Sequence, residues 1–288
     1  MTAARTLLVE RPGALALVED LGRPGLAHLG VAESGALDRG ALRLANRLVG
    51  NPDGAAALEL VGGGFRAVFT GVHWFAVTGA WGALRLDGRR IAACTAVRAS
   101  DGDVLELGAP ERGIRYVVAV RGGLDVPRVL GSRSRDTLAG LGPEPVTAGA
   151  VLSVGAPPEA SVPPLDQEAG FPPPAGPVTV ELLPGPRADW ATDASLAGLF
   201  EREWVLSPNS DRVGARLEGT PLGRRAGELV SEPTVPGAMQ LPPSGLPTIL
   251  LADRPVTGGY PVVAVATRAS LDRIAQLRPG QAVRFRHA

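Results

Sequence analysis

Glycine and proline, 38 and 27 of 288 residues, cut this chain into short segments, and most of those segments alternate apolar with polar residues. That pattern suits strands joined by tight turns and leaves little room for long helices. LALVED (15–20) alternates and leads into the loop LGRPG. ALEL, FRAVF and HWFAVTG follow at short intervals. LRLDGRRIA (84–92) reads as a hairpin, because Asp87-Gly88 supplies the positive φ of a two-residue turn. VLELG and IRYVVAV continue the pattern up to VLSVG (151–155). The spacing predicts a barrel or a sandwich rather than βαβ units.

One stretch departs from it. From Asp38, DRGALRLANRLVGN places Ala41, Leu42, Ala45, Leu48 and Val49 on one helical face, with Ser34 or Asp38 as the cap and Gly50 as the C′ residue. A second helix is expected around Ala194–Phe200, after the strand and turn of VTVELLPGPRADW. Residues 156–177 are Pro-rich and without periodicity, so they read as a connector. The expected organisation is a first domain over 1–155, the connector, and a second domain over 178–288.

Residues 34–44, SGALDRGALRL, and 207–217, SPNSDRVGARL, share the pattern Ser-x3-Asp-Arg-x3-Arg-Leu. An echo of this size is expected by chance in a chain this long. The first copy enters the helix, whereas Val213, Ala215 and Leu217 in the second alternate as a strand does. Other landmarks keep their order in the two halves: Glu-Leu at 59–60 and 228–229, a Thr-Gly turn at 78–79 and 257–258, and a closing Gly-then-strand. Together they favour a duplicated barrel, but not a matched pair of functional motifs.

Composition excludes several chemistries. All 29 basic residues are arginine, so the chain has no P-loop lysine, no Schiff-base lysine and no biotinylated lysine. Formal net charge is zero, which gives no footprint for nucleic acid or an anionic membrane. The single cysteine, Cys94, rules out an intrachain disulfide, and its apolar setting IAACTAV reads as buried and inert. The N-terminus lacks a signal-peptide core and no apolar run reaches transmembrane length, so a cytoplasmic protein is expected. No HExxH, HxH or acidic cluster suggests a metal, and GxSxG is absent. His73 reads as a core or edge residue; His28, in the loop GLAHLGV, is the better candidate of the scarce histidines. GGG at 62–64 reads as a bulge or turn.

The polar loops carry more. SPNSDR gathers Asn209, Ser210, Asp211 and Arg212 after an apolar strand; the plain alternative is a turn braced by its own side chains. GAMQLPPSGLP places Gln240 between apolar residues, where an amide must find partners or face a cavity. LADRPVTGGYP sets Asp253, Thr257 and Tyr260 beside two glycines that let a ligand approach the backbone. Arg187 offers an anion-binding fork. Asp38 and Asn46 are the candidates near the first helix.

The run EDLGRPGLAHLGVAESGALDRGALRLANRLVGN resembles the N-terminal signature of the allophanate hydrolase subunit 2, or KipA, family. SPNSDRVGARLEG, SEPTVPGAMQLPPSGLPTILLADRPVTGGYP and LRPGQAVRFR resemble its C-terminal signatures. The likeness spans nearly the whole chain; one departure is SEPTVPGA, which lacks the glycine expected after Ser-Glu. The resemblance implies the biotin-dependent carboxyltransferase type, subdomains A and B: a mainly β fold with two cyclophilin-like β-barrel subdomains and a few short helices. Stand-alone bacterial members resemble the C subunit of 5-oxoprolinase.

That resemblance implies one component of an ATP-dependent lactam hydrolase, inactive alone, that opens 5-oxo-L-proline to L-glutamate. Its partners would be a KipI-like B subunit and a LamB/YcsF-like A subunit, with ATP a co-substrate of the complex that this chain does not hold by itself. A lactam is a poor electrophile; phosphorylating its oxygen by ATP creates a leaving group that water can displace. The alternatives are a carboxyltransferase or allophanate-hydrolase-type subunit of a urea-carboxylase-like system, where biotin arrives on another protein, and a non-catalytic KipI-binding antagonist. In the site envisaged, Arg212 holds a carboxylate or phosphate, Asp211 or Asp253 orients water or the ring N–H, and Gln240 reads an amide edge, with Asn209, Ser210, Thr257, Tyr260, Asp38 and Asn46 as binding residues. The competing expectation is that Asp211 and Arg212 only brace their turn, as Asp38 and Arg39 would brace theirs.

Overall fold

The computed structural model of the chain describes residues 5–164 and 172–288. The first four residues and the middle of the Pro-rich connector, 165–171, lie outside the described residues. The chain divides into two compact units. The first comprises 1–23, 38–135 and 140–173; the second comprises 24–37, 136–139 and 174–288.

The first unit is a curled antiparallel sheet of nine strands. They are β1 (Thr6–Pro12), β2 (Leu15–Glu19), β3 (Ala57–Val61), β4 (Phe65–Thr70), β5 (His73–Leu86), β6 (Arg89–Arg90), β7 (Val97–Ala99), β8 (Val104–Val120) and β9 (Val151–Ser153). The order is β2-β3-β8-β4-β1-β9, and β5 runs along β8 while also pairing β6 and β7. Alternation decides which side chains go inward. Phe65, Ala67 and Phe69 of β4 are buried, and the Phe69 and Phe75 rings pack at 5.1 Å. Each such ring contributes about 1.5–3 kcal/mol of burial. Asp87 and Gly88 have φ of 49° and 75°, the two positive values of the expected hairpin.

Several expectations change here. VLELG and IRYVVAV are one continuous strand, β8. Thr78-Gly79 is not a turn but lies within β5, where the extra length is taken up by register shifts between Gly79, Trp81, Gly82 and Leu84. A bulge uses the positive φ of Gly79, 83°, without ending the strand. Glu228-Leu229 lies outside any strand, so it does not match Glu59-Leu60 of β3. Cys94 is half-buried rather than in the core, because it sits in a turn with φ 54°.

The helix α1 (Arg39–Leu48) packs on this sheet through Ala41, Leu42, Ala45 and Leu48. Asp38, not Ser34, caps it: its carboxylate accepts the Ala41 N–H at 2.8 Å. Gly50 follows the C-terminus with φ 70°, as a C′ glycine does. His73 is buried with Nε2 donating to the Thr70 carbonyl at 2.8 Å and Nδ1 facing the Arg5 guanidinium. Burial lowers its pKa below the usual histidine value, against the hydrogen bond to Thr70, and the Arg5 charge adds to the lowering.

The second unit is a closed barrel. Its strands are β10 (Val178–Pro184), β11 (Trp204–Leu206), β12 (Gly214–Glu218), β14 (Ala238–Gln240), β15 (Thr248–Leu250), β17 (Val262–Ala266) and β18 (Ala282–His287), with a separate two-stranded sheet of β13 (Glu232–Pro233) and β16 (Thr257–Gly258). The order around the barrel is β10-β17-β14-β15-β12-β11-β18, and β18 closes it by pairing parallel with β10. Ala215, Leu217, Met239, Ile249, Val263 and Phe285 fill the interior. Trp204 is fully buried and its indole N–H donates to the Leu199 carbonyl at 3.1 Å, at the end of helix α2 (Asp193–Glu201). A further helix, α3 (Arg268–Ala275), is capped by Thr267, which accepts the Ser270 N–H.

Because Asp38 satisfies an otherwise unpaired helix N–H, Asp38→Ala is expected to destabilise the protein by about 1 kcal/mol, and Asp38→Ser by less. Urea unfolding of both variants checks this; equal and negligible effects would remove the capping role.

Candidate functional site

The polar groups of the second unit fall into two sets, those already committed to other protein groups and those left open. Asp253 heads the first set. Its carboxylate is fully buried and accepts from Arg212 Nε (2.8 Å) and Nη2 (3.3 Å), Ser34 Oγ (2.6 Å), and both the N–H (2.9 Å) and the Oγ1 (2.7 Å) of Thr137. Arg212 is almost fully buried and also donates to the Gly35 carbonyl at 2.7 Å. Ser34 is held at φ 53°, a conformation serine rarely adopts, by this bond and by its own N–H on the Ala252 carbonyl. Burial alone would raise the pKa of Asp253. The Arg212 cation outweighs that, helped by the hydrogen bonds from Arg212, Ser34 and Thr137, and the net shift is downward.

The other candidates divide along the same line. Asp211 accepts the N–H groups of Val213 (2.8 Å) and Gly214 (2.9 Å), which braces the turn. Ser210 Oγ accepts the Arg216 N–H at 3.0 Å, and Arg216 O accepts the Ser207 N–H at 2.9 Å. In the first unit, Asp38 caps α1, and Asn46 is fully buried, donating to the carbonyls of Ala55 (2.8 Å) and Asp53 (3.2 Å) while accepting from Asn51 (3.0 Å). Arg187 does not offer a free fork, since its Nε contacts both Glu232 carboxylate oxygens at 2.9 and 3.0 Å. His28 is exposed, with Nδ1 3.1 Å from the Gly25 carbonyl. Thr257 is exposed on the β13/β16 sheet.

The open set lines a cleft of about 540 Å³ on the outer face of the barrel. Its walls include one residue from each of the three C-terminal segments singled out in the sequence: Asn209, Gln240 and Tyr260. Strand register explains the placement. Ala215, Leu217 and Ile249 point into the barrel, so Gly214, Arg216, Thr248 and Leu250 point out. Arg216 pairs with Thr248, and Thr248 with Gln240, which sets three polar side chains in one row across β12, β15 and β14. Leu246, Leu250 and prolines 242, 247 and 255 supply apolar surface.

Gln240 is the most informative of these. It is 7% exposed, yet its side-chain amide makes no hydrogen bond to the described residues. Its Nε2 lies against Gly258, where an added Cβ would come within 2.5 Å. Packing therefore fixes the amide, and Gln240 borders the cleft with its hydrogen-bonding groups unfilled, an arrangement that costs stability unless a ligand or water completes it. Among the described residues no group of three or more His, Cys, Asp or Glu could hold a metal ion.

The model of the carboxyltransferase domain, subdomains A and B, matches residues 29–287. This chain belongs to the carboxyltransferase subdomain A and B family. Within that family it is 36% identical over 283 residues to the C subunit of the 5-oxoprolinase of Escherichia coli, a match covering 97% of this chain and 90% of that one. It is 32% identical to the urea amidolyase of Lachancea kluyveri over 96% of this chain but 16% of that protein. The crystal structure of TTHA0988 superposes with a TM-score of 0.89 at 36% identity, covering 98% of this chain and 56% of that one. The chain therefore spans just over half the length of that solved protein. The urea amidolyase of K. lactis superposes with a TM-score of 0.87 at 29% identity, over 19% of its length.

Removing the Arg212 guanidinium leaves the Asp253 charge buried and unpaired, so Arg212→Ala is expected to cost about 3–5 kcal/mol in chemical denaturation. A loss under about 1 kcal/mol would contradict the structural role. The lowered pKa of Asp253 also fixes a pH dependence. Its stabilisation is complete above the unfolded carboxylate pKa, about 3.9, and is lost as pH falls through the lower folded value. Unfolding measured from pH 5 to 2 should show wild type losing more stability than Asp253→Asn; parallel curves would contradict it.

Proposed function

We propose that this chain is the C subunit of an ATP-dependent 5-oxoprolinase, which opens 5-oxo-L-proline to L-glutamate. The observation that carries the reading is the Gln240 amide, 7% exposed and unpartnered in the barrel cleft, in a chain that matches the C subunit of a bacterial 5-oxoprolinase over nearly the whole of both lengths. A primary amide donates and accepts along one edge, which complements the C=O and N–H of a lactam. The C subunit of the E. coli 5-oxoprolinase is also the more similar in sequence, 36% identical against 32% and 30% for two urea amidolyases, which supports the first reading.

The chemistry follows from the poor electrophilicity of a lactam. Its oxygen attacks the γ-phosphorus of ATP and ADP leaves. Water adds at the activated carbon and the ring C–N bond breaks, giving an acyl phosphate. A second water releases phosphate and glutamate. Since the chain has no lysine, a phosphate-gripping lysine must come from a partner. We assign a KipI-like B subunit and a LamB/YcsF-like A subunit as those partners, with this chain inactive alone. Val230, Val235 and Tyr260 are 85%, 50% and 48% exposed around the β13/β16 sheet, apolar surface that supports a docking role there. No described helix is long and apolar enough to cross a membrane.

Co-expression with both partner subunits is expected to yield ATP-dependent glutamate release from 5-oxo-L-proline. In that complex Gln240→Leu should lower kcat/KM at least ~10-fold with a melting temperature no lower than wild type. Carboxylation of urea without lactam hydrolysis would contradict the proposal.

A further inference from the structure

Arg216 is the second arginine of the SPNSDRVGARL motif, and the row that holds it is built to present it. Its backbone is pinned on both sides: the N–H donates to Ser210 Oγ at 3.0 Å and the carbonyl accepts the Ser207 N–H at 2.9 Å. Cross-strand register then aims its side chain to the outer face beside Thr248, in line with Gln240. The other arginine of the motif, Arg212, is spent on Asp253. The Arg216 guanidinium, by contrast, makes no hydrogen bond or ion pair with any described residue, although it lines the cleft. Glu218, two residues on and on the same face, is not within ion-pair distance of it.

We propose that Arg216 is the carboxylate anchor of the cleft, so that the site takes a small carboxylate bearing an amide, with the carboxylate on Arg216 and the amide edge on Gln240. This rests on the functional reading above. Neighbouring strands lie about 4.8 Å apart, so two strand spacings of roughly 10 Å separate the two backbones. The arginine and the glutamine flank the short Thr248 in that row, and both side chains are long enough to close on one small ligand above it, a carboxylate and a lactam group on a five-membered ring. The planar fork of arginine matches a carboxylate through two parallel N–H donors, which an ammonium cannot do. Arg216 is therefore a specificity residue: it holds the substrate and takes no part in bond breaking.

The test compares 5-oxo-L-proline with 2-pyrrolidone, the same lactam without its carboxylate, on the co-expressed complex and by calorimetry. Arg216→Ala is expected to raise the Kd and KM for 5-oxo-L-proline at least ~10-fold, with kcat changed less than about 3-fold. Its 2-pyrrolidone affinity and melting temperature should match wild type, since the side chain is exposed. Arg216→Lys should recover only part of the loss. Gln240→Leu should weaken both lactams. The proposal is overturned if Arg216→Ala weakens both lactams equally or neither. It is also overturned if the variant loses affinity only for inorganic phosphate, which would make Arg216 a phosphoryl site. A wild-type complex that neither binds nor hydrolyses 5-oxo-L-proline would instead remove the functional reading itself, before Arg216 is in question.

Discussion

Burying the Asp253 carboxylate requires a donor for each of its lone pairs, and the donors come from segments far apart in the chain. Ser34, Thr137 and Arg212 all converge on it, and Arg212 extends the network to the Gly35 carbonyl. An ionised carboxyl without access to water is tolerated only when such a set is complete. Once it is complete, the turn leading into β12, the loop after β15 and two short segments from the first half of the sequence are fixed against one another within the second unit. The positive φ of Ser34 is part of the cost of that arrangement.

Commitment of this kind sorts the polar residues by what chemistry remains open to them. Arg212, Asp253, Asp211 and Asn46 all have the side chains one expects in a catalytic site, and all are occupied with protein partners. Gln240, which its apolar neighbours single out in the sequence, and Arg216, which nothing local does, are left with open donors beside apolar surface. A saturated network rigidifies the loops, and the rigid loops in turn hold the open groups in place. Ser210, which pins the Arg216 backbone, sits in the same turn that Asp211 braces. The two sets are thus stages of one construction.

Most of the architecture is legible in the sequence because alternation and turn chemistry are local. The Asp87-Gly88 hairpin, the helix entered at Asp38 and the inward Ala215 and Leu217 follow from residues within a few positions of one another. What the local pattern misses depends on longer range. Thr78-Gly79 continues a strand because β8 runs the full length beside it, so a bulge replaces a turn. The helix α3 has a usable signal in Thr267 followed by Ser270, but the neighbouring strand patterns mask it. Arg212 and Asp253 carry no local sign that they would meet each other, 41 positions apart, and be closed off from solvent. Arg216 stands in the repeated motif; only its outward register separates it from Arg212.

We propose that the open groups, not the buried ion pair, meet the ligand. Side-chain amide resonances report this directly. In an amide-detected NMR titration with 5-oxo-L-proline, the side-chain NH2 signals of Gln240 and Asn209 should shift in a saturable way while those of Asn46 and Asn51, bonded within the first unit, stay in place. Saturable shifts at Asn46 and Asn51 with none at Gln240 would contradict the account.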